Sequence, residues 1–463
     1  MQSSGSHASL PQPPDEPVAS QVTGGFDPQT PPDPALIDAC VHCGFCLSTC
    51  PSYRVLGTEM DSPRGRIYLM DGVNEGQIEL NAATAQHFDS CLGCFACVTT
   101  CPSGVQYDKL ITATRPQLER NVPRNAAEQG LRQLLFALLP YPQRLRPLLR
   151  LAQLYRFTGL EKLVRRSLLP GQPSRTWFKQ LAPQLAALES LLPPLSPEAF
   201  QDPSQEIFPA QGERRYRVGL LLGCVQRLFN PVVNEATIQV LTANGCEVVV
   251  PKGQGCCAAV THHQGQVEQT ETLARQLMDR FAAYPDLDVI VTNASGCGHT
   301  LKEYGEILKD DPLYAARSQT FASNVKDVQE FLAEVGLTAT LHPLSEKPLV
   351  AVYQDACHML HGQNIFSQPR KLLRQIPNLQ LREPLDSALC CGSAGVYNIL
   401  QPEVATELGR QKAQNLVNTG ADLIASANIG CFVQISKHLA LQGKNLPVLH
   451  PMQLLARSIS DQT

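Results

Sequence analysis

Tryptophan is nearly missing from this chain: there is one in 463 residues, and all aromatics together make up 6%. So few flat rings offer little platform for stacking nucleobases. Excess basic charge is missing too. The net charge is −4, which argues against nucleic acid as a main partner. No apolar run approaches the roughly 18 residues that a membrane span requires. The opening stretch, MQSSGSHASLPQPPDEPVAS, has no apolar core of a secretion signal. The expected compartment is therefore cytoplasmic and reducing. No GxGxxG lies between a strand-like and a helix-like segment, so a flavin or nicotinamide site within this chain is not expected.

Cysteine is what the chain has in excess. There are 17, an odd number, and most sit in tight groups. In a reducing compartment, patterned cysteines are metal ligands more often than disulfides. The length gives a soft prior of about three domains.

Residues 1–34 are rich in Pro, Gln, Ser and Gly and are expected to stay disordered. A first cysteine domain follows over 35–120. Its first run is Cys40-x2-Cys43-x2-Cys46-x3-Cys50-Pro51, and its second is Cys91-x2-Cys94-x2-Cys97-x3-Cys101-Pro102. Three thiolates spaced two residues apart can wrap three irons of one cubane, and in two-cluster ferredoxins the fourth ligates the other cluster. Cys40, Cys43, Cys46 and Cys101 are therefore assigned to one [4Fe–4S] cluster. Cys91, Cys94, Cys97 and Cys50 are assigned to a second. Zinc sites use separated cysteine pairs in tetrahedral sets, which this pattern does not match. Arg54, Arg64 and Arg66 lie between the two runs. Positive charge there would favour a reduced cluster, although each arginine singly reads as an ordinary surface ion-pair residue.

Residues 121–214 read as a helical connector ending in a Pro-rich linker, 193–213. Between Leu131 and Pro170 stand Arg132, Arg144, Arg146, Arg150, Arg156, Lys162, Arg165 and Arg166, opposed only by Glu161. Leucines interleave at near-helical spacing. The plain expectation is a leucine face packed on the cluster domain and an arginine face in water. The alternative is a helix lying on an anionic membrane surface, which would make the protein peripheral there.

The C-terminal half repeats itself. In the first copy, residues 215–337, Cys224 precedes Cys256-Cys257 by 32 residues, and Cys297 follows the pair by 40. In the second copy, 338–463, Cys357, Cys390-Cys391 and Cys431 keep steps of 33 and 40. Each single cysteine follows a strand-like run, GLLLGC, DVIVTNASGC, LVAVYQDAC or DLIASANIGC. Each pair sits in a Gly-containing turn. Strands alternating with amphipathic segments suggest α/β units with parallel sheets. A vicinal disulfide would be strained, and burial as small apolar residues does not explain the matched intervals. A metal or redox centre at these eight cysteines is the reading preferred, with a structural role still open. Cys246 has no repeat mate and reads as a buried residue on the strand before Pro251. His262, His263, His299 and His358 lie near these cysteines and could supply a ligand or a proton. His358 stands out because it adjoins Cys357. The fold class expected is α+β overall: a helical two-cluster ferredoxin-like domain, a helical connector, and two α/β cysteine-rich repeats.

The segments CVHCGFCLSTCPSYRVLGTEMDSPRGRI, CLGCFACVTTCPSGVQYDKL, YQDACH, CCGSAG and ASANIGC resemble the iron–sulfur subunits of glycolate oxidase, over about residues 35–463. The ferredoxin motifs alone are shared with many electron-transfer proteins. Their combination with paired-cysteine repeats also resembles subunits of anaerobic glycerol-3-phosphate dehydrogenase, lactate utilisation and heterodisulfide-reductase-like enzymes. The resemblance implies a separate flavin subunit that oxidises glycolate to glyoxylate. Electrons would then pass through this chain towards a quinone or another carrier. Two departures stand out. Ala258 replaces the family's glycine after the first cysteine pair, where the second copy keeps Gly392. Neither Cys297 nor Cys431 opens a CxxC, as in the heterodisulfide-reductase relatives. The degraded first pair points to the second copy as the better metal site.

Overall fold

The computed structural model describes residues 25–159, 183, 184, 186–192 and 195–460. The tail expected to be disordered lies outside the described residues as far as residue 24. From residue 25 onward it is tied down. The Asp27 carboxylate accepts hydrogen bonds from Arg120 and Asn121, and the Arg120 bonds hold it well below the usual carboxylate range.

The N-terminal domain is built of short helices: α1 (Pro34–Asp38), α2 (Pro51–Leu56), α3 (Pro63–Asn74), α4 (Ala82–Asp89), α5 (Ala96–Thr100) and α6 (Tyr107–Asn121). Local chemistry starts them. Pro51 and Pro63 occupy first-turn positions, where a missing N–H costs nothing. Ser62 and Asn81 cap α3 and α4 through their side-chain oxygens. Met70, Phe88, Leu110, Ile111 and Leu118 fill the core between them.

The connector forms α7 (Ala126–Leu138) and α8 (Pro142–Phe157). Its leucine face does not pack on the cluster domain, as the sequence suggested. Leu131, Leu135 and Phe136 pack against Val396 and Ile399 of the second repeat, and Leu145 and Leu149 against Leu228 of the first. Lys162, Arg165 and Arg166 lie outside the described residues. The Pro-rich linker adds a turn, Pro197–Phe200, and the short strand β1 (Ile207–Phe208).

Each repeat is a parallel sheet with helices around it. The first comprises β2 (Tyr216–Leu221), β3 (Cys246–Val249), β4 (Val289–Thr292) and β5 (Val325–Asp327). The second comprises β6 (Leu349–Gln354), β7 (Leu379–Arg382), β8 (Leu423–Ser426) and β9 (Val448–Leu449). The spatial orders, β3-β2-β4-β5 and β7-β6-β8-β9, are the same topology twice. Linker strand β1 is the exception to parallel pairing, running antiparallel on the β3 edge. Cys246 is fully buried on β3, as expected.

The two repeats do not stand apart. Val240 and Leu241 of α9 (Val232–Ala243) share one core with Met452 and Leu455 of the last helix, α12 (Pro451–Ile459). Two further helices matter below: α10 (Ser295–Lys302), which follows β4, and α11 (Ile429–Leu441), which follows β8. Among the described residues, no helix is long and apolar enough to cross a membrane.

Candidate functional site

The two ferredoxin-type loops share a backbone design. In each, the second and fourth residues after the first cysteine are left-handed: His42 (φ 49°) and Gly44 (φ 86°), then Gly93 (φ 61°) and Phe95 (φ 61°). His42 and Phe95 hold this conformation despite a Cβ, a strain of the kind that collects at functional sites. The curled loops bring the predicted sets together. Cys40, Cys43, Cys46 and Cys101 ring one small hollow, which Cys97 also borders. Cys50, Cys91, Cys94 and Cys97 ring another.

The surroundings of the two sets differ sharply. Cys43 is exposed, and Cys40, Cys46 and Cys101 are half-buried. Cys50, Cys91, Cys94 and Cys97 are all buried. Burial pushes the Cys94 and Cys97 thiols well above their ordinary range. Burial acts on Cys91 as well, but the Arg66 and Arg115 guanidinium groups outweigh it and hold that thiol low.

Arg66 corrects the reading of the three arginines as surface ion-pair residues. It is fully buried. It donates to the His87 carbonyl and to the Ser52 and Ser90 hydroxyls, with Asp61 at 3.7 Å. Arg64 and Arg54 fit the plainer reading, pairing with Glu59 and with Asp386. Arg64 also grips the first loop by donating to the His42 carbonyl at 2.9 Å. Arg115, which no motif marks, does the same for the second loop through the Cys91 carbonyl at 2.8 Å. Tyr107 adds a hydroxyl 3.7 Å from the Cys91 sulfur. Both lie on α6, outside the cysteine runs, so spacing carried no signal of them.

The repeat cysteines sit where the topology puts a ligand site. Cys224 and Cys297 follow β2 and β4, and Cys357 and Cys431 follow β6 and β8. These are the adjacent strands at which each sheet reverses its order, and open parallel sheets bind ligands at their carboxyl ends there. Each copy strings its four thiols together. Cys224 and Cys256 sulfurs lie 3.2 Å apart, as do those of Cys391 and Cys431. Neighbouring thiols close enough to act on one another electrostatically continue both strings, Cys256, Cys257 and Cys297 in the first copy and Cys357, Cys390 and Cys391 in the second. The Cys256 bond and burial push the Cys224 thiol well up, and the neighbouring Cys390 thiol and burial do the same to Cys357.

This donor set fits an iron–sulfur group. Eight soft sulfurs crowd one region in which the buried Arg227 acts on Cys224 and the buried Lys412 on Cys391 and Cys431, and bound metal would add to these cations in stabilising thiolates. Among the described residues, no three side chains converge as ligands of one metal ion do. A cluster spreads its ligands over several irons, so strings of thiols suit a cluster better than a lone ion. The backbone at the first pair is intact despite its alanine: Ala258 takes φ 65° where Gly392 takes φ 84°. The substitution strains the turn rather than dismantling it.

Both strings face one cavity of about 660 Å³, walled on its far side by leucines of α7 and α8. The cluster domain meets this region through its buried loop. Leu92 and Cys94 pack with Cys390, and Cys357 packs against the same group. Three of the four flagged histidines gather around Phe95. His358 stacks on its ring at 5.3 Å and donates from Nε2 to the Gly93 carbonyl at 2.8 Å. His299 meets the ring edge at 5.2 Å, and His263 lies 4.6 Å from His358. Burial holds all three neutral, His358 down at about 3. His262 sits beyond them, 3.6 Å from Glu303. Phe95 itself was not singled out by the sequence.

A 4Fe-4S dicluster domain model matches residues 36–105, and a cysteine-rich domain model matches twice, over 218–302 and 351–436. A model of the linker region of the glycolate oxidase iron–sulfur subunit matches residues 127–192. A probable glycolate oxidase iron–sulfur subunit of Bacillus subtilis is 34% identical over 428 residues, covering 92% of this chain and 94% of the relative. The glycolate oxidase iron–sulfur subunit of Escherichia coli K12 is 35% identical, with 92% and 95% covered. Lactate utilization protein A of Shouchella clausii is 30% identical over 51% of this chain and 98% of its own.

Proposed function

Because this chain belongs to the family of glycolate oxidase iron–sulfur subunits, we propose that it is the electron-carrying subunit of a flavin-dependent glycolate (2-hydroxyacid) dehydrogenase. A separate flavin subunit oxidises glycolate to glyoxylate in this reading, and the acceptor is a quinone or another carrier. Cys40, Cys43, Cys46 and Cys101 hold one [4Fe–4S] cluster, and Cys91, Cys94, Cys97 and Cys50 hold the other. Bound there, the clusters supply one-electron storage. The repeat cysteines, Cys224, Cys256, Cys257 and Cys297 with Cys357, Cys390, Cys391 and Cys431, hold a further iron–sulfur group.

One observation carries the reading: one cysteine set opens to solvent while the other is buried against the repeat cysteines. The chain's own residues do the rest. Arg64 and Arg115 fix the loop carbonyls, Arg66 supplies a buried positive charge, and Phe95 with its histidines keeps water from the inner loop. The similarity to lactate utilization protein A supports a second donor, lactate, with the same division of labour.

The test is anaerobic isolation of the native complex. We expect about eight irons from the two N-terminal clusters alone. Glycolate should bleach their visible absorption only when the flavin partner is present. Bleaching by lactate and not glycolate would shift the reading to the second donor. A preparation without iron and sulfide, or thiol–disulfide turnover by the isolated chain, would overturn it.

A further inference from the structure

We propose that the cavity between the cysteine strings and the connector helices is a binding site for a lipophilic molecule of the quinone class. The inference rests on the electron-carrier reading above and adds where the acceptor sits.

The cavity's size falls within the few hundred to about 1,000 Å³ usual for small-ligand sites. Its two sides differ in chemistry. One side carries the cysteine strings of both repeats. The other is formed by Leu135, Leu138, Leu139, Leu145 and Leu149 of the connector. A group held on the thiols would take the cysteine side, and the leucine side is the part left for another ligand. That side runs outward to an unusual rim. Leu134, Leu148 and Leu151 line the same cavity yet remain 52%, 41% and 62% exposed. Leu154 and Phe157 continue the apolar surface along α8. A contiguous apolar patch of this kind marks a contact or entry surface rather than ordinary scatter.

The polar groups point to a neutral carbonyl head. The one guanidinium among the described lining residues is Arg115, which is already bonded to the Cys91 carbonyl. Three arginines of α8 are turned to other partners. Arg144 lies over Tyr141, Arg150 over Phe200, and Arg146 pairs with Asp202. An anionic lipid head would thus find no free cation there among the described residues. His263 does offer a contact, since it lines the cavity and its Nε2 is buried without a hydrogen-bond partner. A ring carbonyl placed there would satisfy it, with an apolar tail along the leucines.

The experiment uses the full chain with its iron in place. An aryl-azide quinone with a short isoprenoid tail is added, irradiated, and mapped by peptide mass spectrometry. Label is expected on residues 131–157 and near His263. An unlabelled short-tail quinone should compete, and oleate should not. Leu149→Trp fills the inner wall. Leu151→Trp narrows the mouth at an exposed position that folding tolerates. Each should weaken labelling about tenfold, near 1.4 kcal/mol, with iron content and circular dichroism unchanged. Label elsewhere, equal competition by oleate, or full labelling of Leu151→Trp would overturn the proposal. Donor-dependent bleaching is read on the same sample. Its absence sinks the electron-carrier reading, whereas bleaching without cavity labelling sinks only this site.

Discussion

Arg66 shows most clearly what a single residue contributes. Its charge is buried, fixed by three hydrogen bonds, and only partly balanced by Asp61 at 3.7 Å. Cys50 and Cys91 lie close enough to raise its proton affinity. A cluster on those thiolates gains negative charge on reduction, so the arginine favours the reduced form. Arg66→Met is expected to lower the potential of the inner cluster, on the order of 50 mV after allowing for Asp61. Arg66→Lys should retain most of it. Redox titration followed by electron paramagnetic resonance reads both, and an unmoved potential in Arg66→Met would refute the role. Ala258 supports a second prediction. Relief of its left-handed strain exceeds the chain entropy that glycine adds, so Ala258→Gly should stabilise the fold by about 0.5–1 kcal/mol in denaturant titration. The two cysteine runs were legible in the sequence because their spacing is regular, and the hollows they ring were foreshadowed by it. Arg66 and Arg115 were not, because their reach to the loops exists only once α3 and α6 have packed.

At the scale of elements, the repeat was visible in its cysteine intervals, and the strands in their apolar runs. The interlock between the copies was not. It depends on α12, whose apolar face meets α9 of the other repeat, and an amphipathic pattern does not say which surface covers it. His450 sets this helix in place. Its Nδ1 accepts from the Met452 amide, capping α12, while Nε2 donates to the Asn293 carbonyl after β4. The Nδ1 bond needs the neutral ring, because a protonated Nδ1 cannot accept from the Met452 amide. Burial pushes its pKa down from 6.5 to about 3. A base depressed in the folded state contributes stability that is present above about pH 6.5 and lost as pH falls towards 3. At pH 5 the loss is roughly 2 kcal/mol. Protection factors in α12, that is, amide exchange corrected for its intrinsic pH dependence, should therefore fall between pH 6.5 and 5. His450→Asn keeps a capping oxygen that does not titrate, and this pH dependence should flatten. An equally steep dependence in that variant would place the effect elsewhere.

On the scale of the whole molecule, the chain has an outside and an inside end. The first loop presents Val41 at 68% exposure and Phe45 at 64%, either side of the exposed Cys43. The second loop is covered by the repeats, with Phe95 stacked on His358. The two loops share one backbone design, so their different exposure comes from what packs over them. An apolar pair flanking an exposed ligand suits docking of a redox partner, because electron exchange needs close approach and a dry contact. Among the described residues, the second loop offers no such surface, since Leu92, Phe95 and Ala96 are buried. The flavin partner is therefore expected to meet the Val41–Phe45 loop. Phe45→Glu places a charge on a side chain that is 64% exposed yet borders the outer hollow, so iron content is measured alongside and should hold. Reduction of the clusters by glycolate through the partner should slow by about tenfold, the effect of losing roughly one anchoring contact. Reduction by dithionite, a small reagent that needs no docking, should keep its rate. If both reductants slow together, the substitution has disturbed the cluster itself. If neither slows, the partner docks elsewhere, and the buried loop and its histidines become the next place to look.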